Sequence, residues 1–544
     1  MKYCFGVLIC FFFSTVIGIA NSLGNSTDWL WAHSGGGKGY DQANAIASDS
    51  AGNVFVTGFF QDSAVFSGQT IRGTKGRHFF FAKYSSDGSL IWLKSSSQKG
   101  QSFGTSLALV EQHNCIVAGY FSDTLTFGSD TLISVGGNNI FVAKIGSNGV
   151  PIWAVATGSN SGGVLNGITT DANDNIYITG SFTGVPTFGN TTLHSVGGSD
   201  IYICKYTKDG LFQFAKSFGS KGDDVGNGIS VGESGSMYFV GTCSDTLEFG
   251  STRIVPIGTS DIFVAKYDLI SGIHWAKKAG GLLHGTGSGI VLDAKENVYV
   301  AGSFFSSAPP DCDGTGNIYI AKFSKDGEQV WSKCLGSGGE DFANGIATDS
   351  AGNIFVVGQH DEAMNFGAVS LSFVNIIDAF IAKFDASGNC TWAENAGSTS
   401  SDNGTAVAID PNGNVYFAGS FGDTMTLSPF VLTNKNLLDV FIAKIGAKLD
   451  VKHAISNPTL KSIIFPNPAQ QILNMDLQII PINNSVSIEL RTLLGELVLK
   501  EIIVTESTSS TRIPMNISGM PSGTYFCIIR CGEFSDIQRV VIER

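Results

Sequence analysis

The sequence predicts an all-β fold: a closed wheel of seven small antiparallel sheets, followed by a separate β-sandwich. Three observations predict it, namely a fixed period, a hairpin grammar within each period, and a chain that begins with the strand its last repeat lacks. The period is legible in single columns. A glycine recurs at Gly58, Gly119, Gly180, Gly241, Gly302, Gly358 and Gly419, in steps of 61 with one of 56. Lys83, Lys144, Lys205, Lys266, Lys322, Lys383 and Lys444 keep the same steps, as do Trp31, Trp92, Trp153, Phe214, Trp275, Trp331 and Trp392.

The sixth copy shows the grammar. Asn344–Ala347, Ile354–Val357, Ala379–Ala382 and the segment through Trp392-Ala393 are four short strand candidates with no helical period between them. Asp349-Ser350-Ala351-Gly352-Asn353 joins the first two and Ser387-Gly388-Asn389 the last two, both with the Gly/Asn/Asp chemistry of tight hairpins. The central strands are apolar at successive positions, as a sheet covered on both faces requires. Radially stacked four-stranded meanders, the blades of a β-propeller, meet that requirement. The seventh copy stops at Asp439-Val440-Phe441-Ile442-Ala443-Lys444 without its tryptophan strand, and an orphan one, Asp28-Trp29-Leu30-Trp31-Ala32, opens the repeats. That strand is expected to complete the last blade and leave no sheet edge open.

Met1–Ala20 reads as a secretory signal: Lys2 is the positive start, Phe5–Ile17 the apolar core and Gly18-Ile19-Ala20 the small-residue end. The apolar run is short for a membrane anchor, and no later segment is long and apolar enough to span. The propeller is expected over 28–445, a polar linker over 446–461 and the second module over 462–544. With 33 basic against 46 acidic residues the net charge is −13, which argues against a nucleic-acid partner. Of the ten cysteines, Cys4 and Cys10 belong to the leader and the others have no regular spacing. They read as buried small hydrophobes, and Cys312 with Cys334 is the one pair in a single repeat to test as a disulfide.

Comparison of the copies separates scaffold from candidate function. The first strand carries Asn44, Thr105, Asn166, Asn227, Ser288, Asn344 and Thr405 in one column, small polar residues suited to a crowded axis. Five residues before each repeat lysine stands His78, Asn139, Asp200, Asp261, Asn317, Asp378 or Asp439. This column either lines a face or channel, or caps the third strand or pairs with neighbouring lysines. The fifth copy is five residues short and carries Pro309-Pro310-Asp311-Cys312-Asp313-Gly314 where most of the others have Phe-Gly. Asp311 and Asp313 are a candidate rim loop. They are no EF-hand, because the twelfth position would be Lys322.

Catalytic and metal signals are weak, so no catalytic residue, metal or cofactor is assigned. Gly228-Ile229-Ser230-Val231-Gly232 lies in an inner strand and not at a strand-to-helix elbow. The eight histidines show no ligand spacing. The longer segments between second and third strands share one rim with the interblade linkers, and that rim is where a ligand is expected. One reading is therefore a non-catalytic module that binds a glycan or a protein. The alternative is an extracellular enzyme acting on polysaccharide through rim carboxylates such as Asp311, Asp313, Glu340 or Asp341.

The repeated Gly-Asn-(Ile/Val)-(Phe/Tyr)-Val-x-Gly, followed by Asp-x-Phe-(Ile/Val)-Ala-Lys and a Trp-Ala strand, resembles the SBBP-type β-propeller repeat of bacterial surface and secreted proteins over Asp28–Ile445. That resemblance implies a fold and carries no shared catalytic residues. Beyond the linker the pattern changes. Ile464-Phe465-Pro466-Asn467-Pro468, a turn at Leu494-Gly495-Glu496 and the strand Gly523-Thr524-Tyr525-Phe526 before Val540-Val541-Ile542 resemble the type A C-terminal sorting domain of the type IX secretion system of Bacteroidetes. Pro466, Asn467, Pro468, Gly495, Gly523 and Tyr525 carry the likeness. It implies the type IX machinery as partner, transit through the periplasm, and release from or display on the outer cell surface.

Overall fold

The computed structural model of the chain describes residues 27–95, 97–111, 113–157, 162–280, 284–305, 316–447, 461–478, 485–492, 497–504, 511–531 and 534–544. The leader, the loop with Asp311, Cys312 and Asp313, most of the linker and Gly495 lie outside the described residues. The chain divides into two compact units, 1–448 and 449–544. Every regular element among the described residues is a strand.

The first unit is a succession of four-stranded antiparallel meanders, and the sixth illustrates them. Its strands Phe342–Thr348, Ile354–His360, Asp378–Phe384 and Cys390–Ala396 pair in sequence order. The turn after the first strand is fixed by Asp349, whose Oδ1 accepts the backbone N–H groups of Ala351 and Asn353. Gly352 takes the positive φ, 80°, that the turn demands. Between the second and third strands lies a small hairpin, Met364–Phe366 with Val369–Leu371. Equivalent hairpins stand in the second, third, fourth and seventh units, where the sequence shows only a longer connecting segment.

The period glycine has a steric cause. In each unit the register between first and second strands slips by one residue, at Ala43/Ala45 in the first and Gly226/Gly228 in the fourth, so that one first-strand residue bulges out. A Cβ on the glycine opposite would lie 1.9 Å from the carbonyl oxygen of Gln42 at Gly58 and 1.9 Å from that of Val225 at Gly241. Only glycine lets the carbonyl come so close. The residue expelled by the bulge is the member of the Asn/Thr/Ser column.

Six of the seven expelled side chains, all but Ser288, donate a hydrogen bond to a backbone carbonyl in the first strand of the next unit. Asn44 reaches Gly104 at 2.8 Å, Thr105 reaches Leu165 at 2.6 Å, Asn166 reaches Gly226 at 3.0 Å and Asn227 reaches Gly287 at 2.8 Å. Asn344 reaches Gly404 at 3.0 Å, and Thr405 returns to Ala43 at 2.7 Å. The first strands pack side by side in the same order, that of the seventh unit against that of the first. On the outer side the tryptophan column performs the equivalent task, as Trp31, Trp92 and Trp331 donate from Nε1 to the carbonyls of Ser86, Ser147 and Ala386 one unit on.

The opening strand, Thr27–Gly37, pairs antiparallel with Asp439–Ala447, from Thr27 opposite Ala447 to Gly35 opposite Val440. It thus stands where the fourth strand of the seventh unit belongs. Trp29 and Ala32 are buried with Phe417, Phe441 and Ala443, and Trp31 with Tyr416 and Ile442.

In the second unit, Lys461–Phe465, Ile472–Gln478 and Thr511–Asn516 form one sheet. Leu497–Val504, Ser485–Thr492, Gly523–Cys531 and Phe534–Ile542 form another. Both contribute to one buried cluster that includes Leu473, Met475, Ile513, Val486, Ile488, Cys527 and Val540. Asn467 ties the first strand's exit to the last strand: its Oδ1 accepts the N–H of Val541 and its Nδ2 donates to the carbonyl of Arg539, both at 2.8 Å. The hydroxyl of Tyr525 donates to the carbonyl of Pro521.

Two outcomes follow. Gly241→Ala forces two backbones apart and is expected to lower stability by about 3 kcal/mol, measured by urea unfolding. Removal of Thr27–Gly37 leaves Asp439–Ala447 unpaired on one side, so amide exchange along that strand should quicken at once, with a lower and less cooperative unfolding transition.

Candidate functional site

Chain direction assigns the two ends, or mouths, of the run of first strands. First strands start beside the linkers from the preceding unit, and second and third strands meet the small hairpins at the same end. The tight turns lie at the opposite end.

At the tight-turn end a cavity of about 740 Å³ is lined by Asp49, Glu111, Asp174, Asp349 and Asp410 among others. These acids serve the scaffold. Asp49 accepts backbone N–H groups from Ala51 and Asn53, and Asp410 accepts those of Asn412 and Asn414 and the hydroxyl of Tyr416. The repeat lysines complete the arrangement: Lys83 stands 4.0 Å from Asp49, Lys144 2.9 Å from Glu111 and Lys383 3.7 Å from Asp349. Six of the seven, all but Lys144, also lie over an aromatic ring, with Lys322 4.7 Å from the centre of Tyr299 and Lys444 5.3 Å from that of Tyr416.

At the opposite end lie two columns of buried polar groups. The column before the lysines opens the third strand as a cap: Asp200, Asp261, Asp378 and Asp439 accept, through Oδ2, the backbone N–H of the residue four earlier. Of the two readings left open by the sequence, capping is the one the geometry carries, while the lysines pair with the turn acids instead. A second column comprises Asp41, Asp224, Asp341 and Asp402, each accepting the backbone N–H four residues before it. Asp341 is therefore no one-off rim carboxylate. It is fully buried and bonded to Ser337, which corrects its nomination as a polysaccharide-cleaving acid. Glu340 is exposed, and Asp311 and Asp313 lie outside the described residues.

The two columns face one another across the unit boundaries. A Cβ on Gly36 would lie 2.3 Å from Asp439 Oδ1 and 2.9 Å from Asp41 Oδ2, so the two carboxyl groups share that glycine's surface. Burial pushes Asp41 up to about 7 against hydrogen bonds from Gln61 and Gly37, and the charge of Asp439 adds to the rise. Burial likewise raises Asp402 to about 7 and Asp439 to about 6. One oxygen each of Asp200, Asp224 and Asp439 has no hydrogen-bond partner among the described residues.

The mouth at this end holds a cavity of about 560 Å³ whose lining includes Tyr40, Asn44, Phe59, Arg77, Phe103 and Tyr120. The period breaks here. Where Phe59 and Tyr120 stand, the other units carry Ser181, Thr242, Ser303, Gln359 and Ser420, and only the first has an arginine at the position of Arg77. The sequence reading missed this group, although those column departures were there to be found. The guanidinium lies 5.0 Å from the centre of the Phe59 ring, 5.9 Å from Tyr40 and 6.0 Å from Phe103.

The remaining candidates are structural. His360 is bonded to the carbonyl of Glu362 and to Asn395. The described residues contain no group of three or more His, Cys, Asp or Glu placed to hold a metal ion. Cys115, Cys204 and Cys243 are buried free thiols, Cys527 is buried against Met475, and Cys334 is disulfide-bonded.

Residues 463–543 match the family model described as the secretion system C-terminal sorting domain, and 330–359 match that of the SBBP β-propeller repeat. The chain is 24% identical over 516 residues to the uncharacterized WD repeat-containing protein L264 of Acanthamoeba polyphaga mimivirus, covering 75% of this chain and 37% of that protein. It is 24% identical over 206 residues to the regulatory protein FlaEY of Caulobacter vibrioides, covering 35% of this chain and 21% of that one. The chain thus spans about a third or less of the length of these relatives. Similar solved structures include the Pan2 WD40 domain of Neurospora crassa, with TM-score 0.39, 9% identity and coverage of 75% of this chain and 90% of that one. PorZ, a surface component of the type-IX secretion system of Porphyromonas gingivalis, has TM-score 0.25 and 9% identity, with coverage of 93% and 99%.

The carboxyl pairs make stability depend on pH. Their folded pKa values lie above the ordinary value of 3.8, so the folded state holds protons the unfolded chain has lost. Stabilisation is complete below about pH 4 and is lost as pH rises through 6 to 7. Asp439 faces Asp41 and the Lys435 backbone and ammonium, and the second and fifth units carry Asn139 and Asn317 at its position. Asp439→Asn is expected to stabilise by about 1–3 kcal/mol near pH 8 and to change little near pH 4, read by urea unfolding at both.

Proposed function

We propose that this chain, a β-propeller-repeat protein with a C-terminal sorting domain of the type IX secretion system, is an exported surface or secreted module that binds its ligand without catalysis. The seven meanders form one closed seven-bladed propeller, latched by the opening strand, over 28–445. A linker over 446–461 leads to a sorting β-sandwich over 462–544. The pairing of Thr27–Gly37 with Asp439–Ala447 and the return of Thr405 to Ala43 support the closed ring. The sorting-domain match supports export and release from, or attachment to, the cell surface. In this reading the leader at 1–20 delivers the chain to the periplasm, and Pro466, Asn467, Pro468, Gly495, Gly523 and Tyr525 belong to the fold that the type IX machinery recognises.

The single observation that carries the non-catalytic reading is that the buried acids at both mouths accept backbone N–H groups of the scaffold, whereas the non-repeating cluster at the hairpin-side mouth is aromatic and cationic. The ligand, a glycan or a protein, therefore meets the hairpin rim. The alternative, a polysaccharide-cleaving enzyme, would need acids that reach solvent on that rim.

Deleting Ile464–Arg544 is expected to leave the chain in the periplasm of its native host, detected by fractionation. Unchanged export overturns the sorting assignment. Polysaccharide hydrolysis by the purified chain that disappears in Glu340→Gln overturns the non-catalytic reading.

A further inference from the structure

The non-repeating cluster at the hairpin-side mouth is built for a particular ligand chemistry. Arg77 forms no ion pair among the described residues, although the chain carries a net charge of −13. Its positive charge is met by ring faces: Phe59 at 5.0 Å, Tyr40 at 5.9 Å and Phe103 at 6.0 Å. Phe103 in turn stacks on Tyr120, with ring centres 4.8 Å apart, and meets Phe59 edge to face at 5.2 Å. The nearby carboxyl of Asp41 does not neutralise the arginine. Its two oxygens accept the backbone N–H groups of Gly37 and Gln61, and burial raises it to about 7. Ring contacts place the guanidinium without using its fork of N–H donors, which matches a planar, two-oxygen acceptor.

The rest of the lining defines what is attached to that acceptor. Asn44 and Asn166 each donate an amide N–H to the carbonyls of Gly104 and Gly226 and keep a side-chain oxygen, an acceptor that suits hydroxyl donors. The opposing wall is aromatic and suits a C–H face. A cavity of about 560 Å³ is the size of a small-ligand site and holds one or two sugar rings. A ligand with one apolar face, an edge of hydroxyl donors and a carboxylate is an acidic saccharide.

Resting on the reading of this mouth as the binding site, we infer that the cavity lined by Tyr40, Phe59, Arg77, Phe103 and Tyr120 binds a carboxylate-bearing saccharide, with the acid group on Arg77 and the ring against the aromatic wall.

The test uses the full chain on an array of uronate- and sialate-bearing, sulfated and neutral oligosaccharides. Retained carboxylate glycans are then titrated calorimetrically, with sodium acetate as the non-sugar control. Retention is expected for carboxylate glycans and not for acetate alone. Affinity should fall by about tenfold or more in Arg77→Gln, recover only in part in Arg77→Lys, and fall in Phe103→Ala. Arg77→Gln and Arg77→Lys should keep the parent's unfolding midpoint. Retention confined to neutral or sulfated glycans, or carboxylate glycans bound equally by Arg77→Gln, overturns this inference and leaves the binding module intact. Capture of a protein ligand with no glycan retained does the same. Cleavage of a bound glycan instead overturns the non-catalytic reading while leaving the carboxylate site in place.

Discussion

One hydrogen bond organises the first unit: the bond from a bulged first-strand side chain to the backbone of the next unit. It exists because a glycine on the second strand lets a carbonyl of the first come within a distance that any Cβ would forbid. The bulge expels the Asn, Thr or Ser that follows, and a short polar side chain can then reach the neighbouring first strand. Six units make the bond among the described residues, and the last of the six, from Thr405 to Ala43, spans 362 residues of sequence. Together with the pairing of the opening strand it makes the two ends of the repetitive region depend on one another. A sheet edge that would template aggregation is thereby covered.

The same economy explains where chemistry is absent. Acids recur at both ends of the run of first strands, and sequence alone makes them look like functional columns. In the structure nearly all of them accept backbone N–H groups, in the tight turns through Asp49, Asp349 and Asp410 and at the unit boundaries through Asp41, Asp224, Asp341 and Asp402. A carboxylate that satisfies a turn is held at a fixed geometry and shielded from substrate. At the boundaries two such carboxyl groups face each other closely enough that burial and mutual repulsion favour holding protons, and two of the seven positions are filled by asparagine instead.

Much of the fold was legible because it is periodic. Strand order, tight turns and the orphan tryptophan strand all follow from columns that repeat at 61 residues. What sequence could not supply was the cause of the columns. The glycine marks a bulge, the asparagine a bond to a neighbour 60 residues away, and the tryptophan an indole N–H donated to the next unit's turn, all contacts between elements distant in the chain. The small hairpins escaped notice because strands of two to four residues carry too little alternation to register. Asp341 looks singular in sequence for a related reason: Ser102, Gly163 and Gly285 interrupt its column, so the recurrence of a structural acid is hidden.

A repeat scaffold leaves specificity only where its period is broken, since a residue present in every unit is explained by what every unit needs. Tyr40, Phe59, Arg77, Phe103 and Tyr120 come from two adjacent units, at positions that the others fill mostly with small or polar residues, and they converge at a single mouth. The period does not call for them, and the guanidinium is half-buried among rings without a carboxylate partner among the described residues. Such a departure is what a site held ready for something outside the fold requires. It sets the boundary of the first and second units apart, as the missing five residues set apart the fifth.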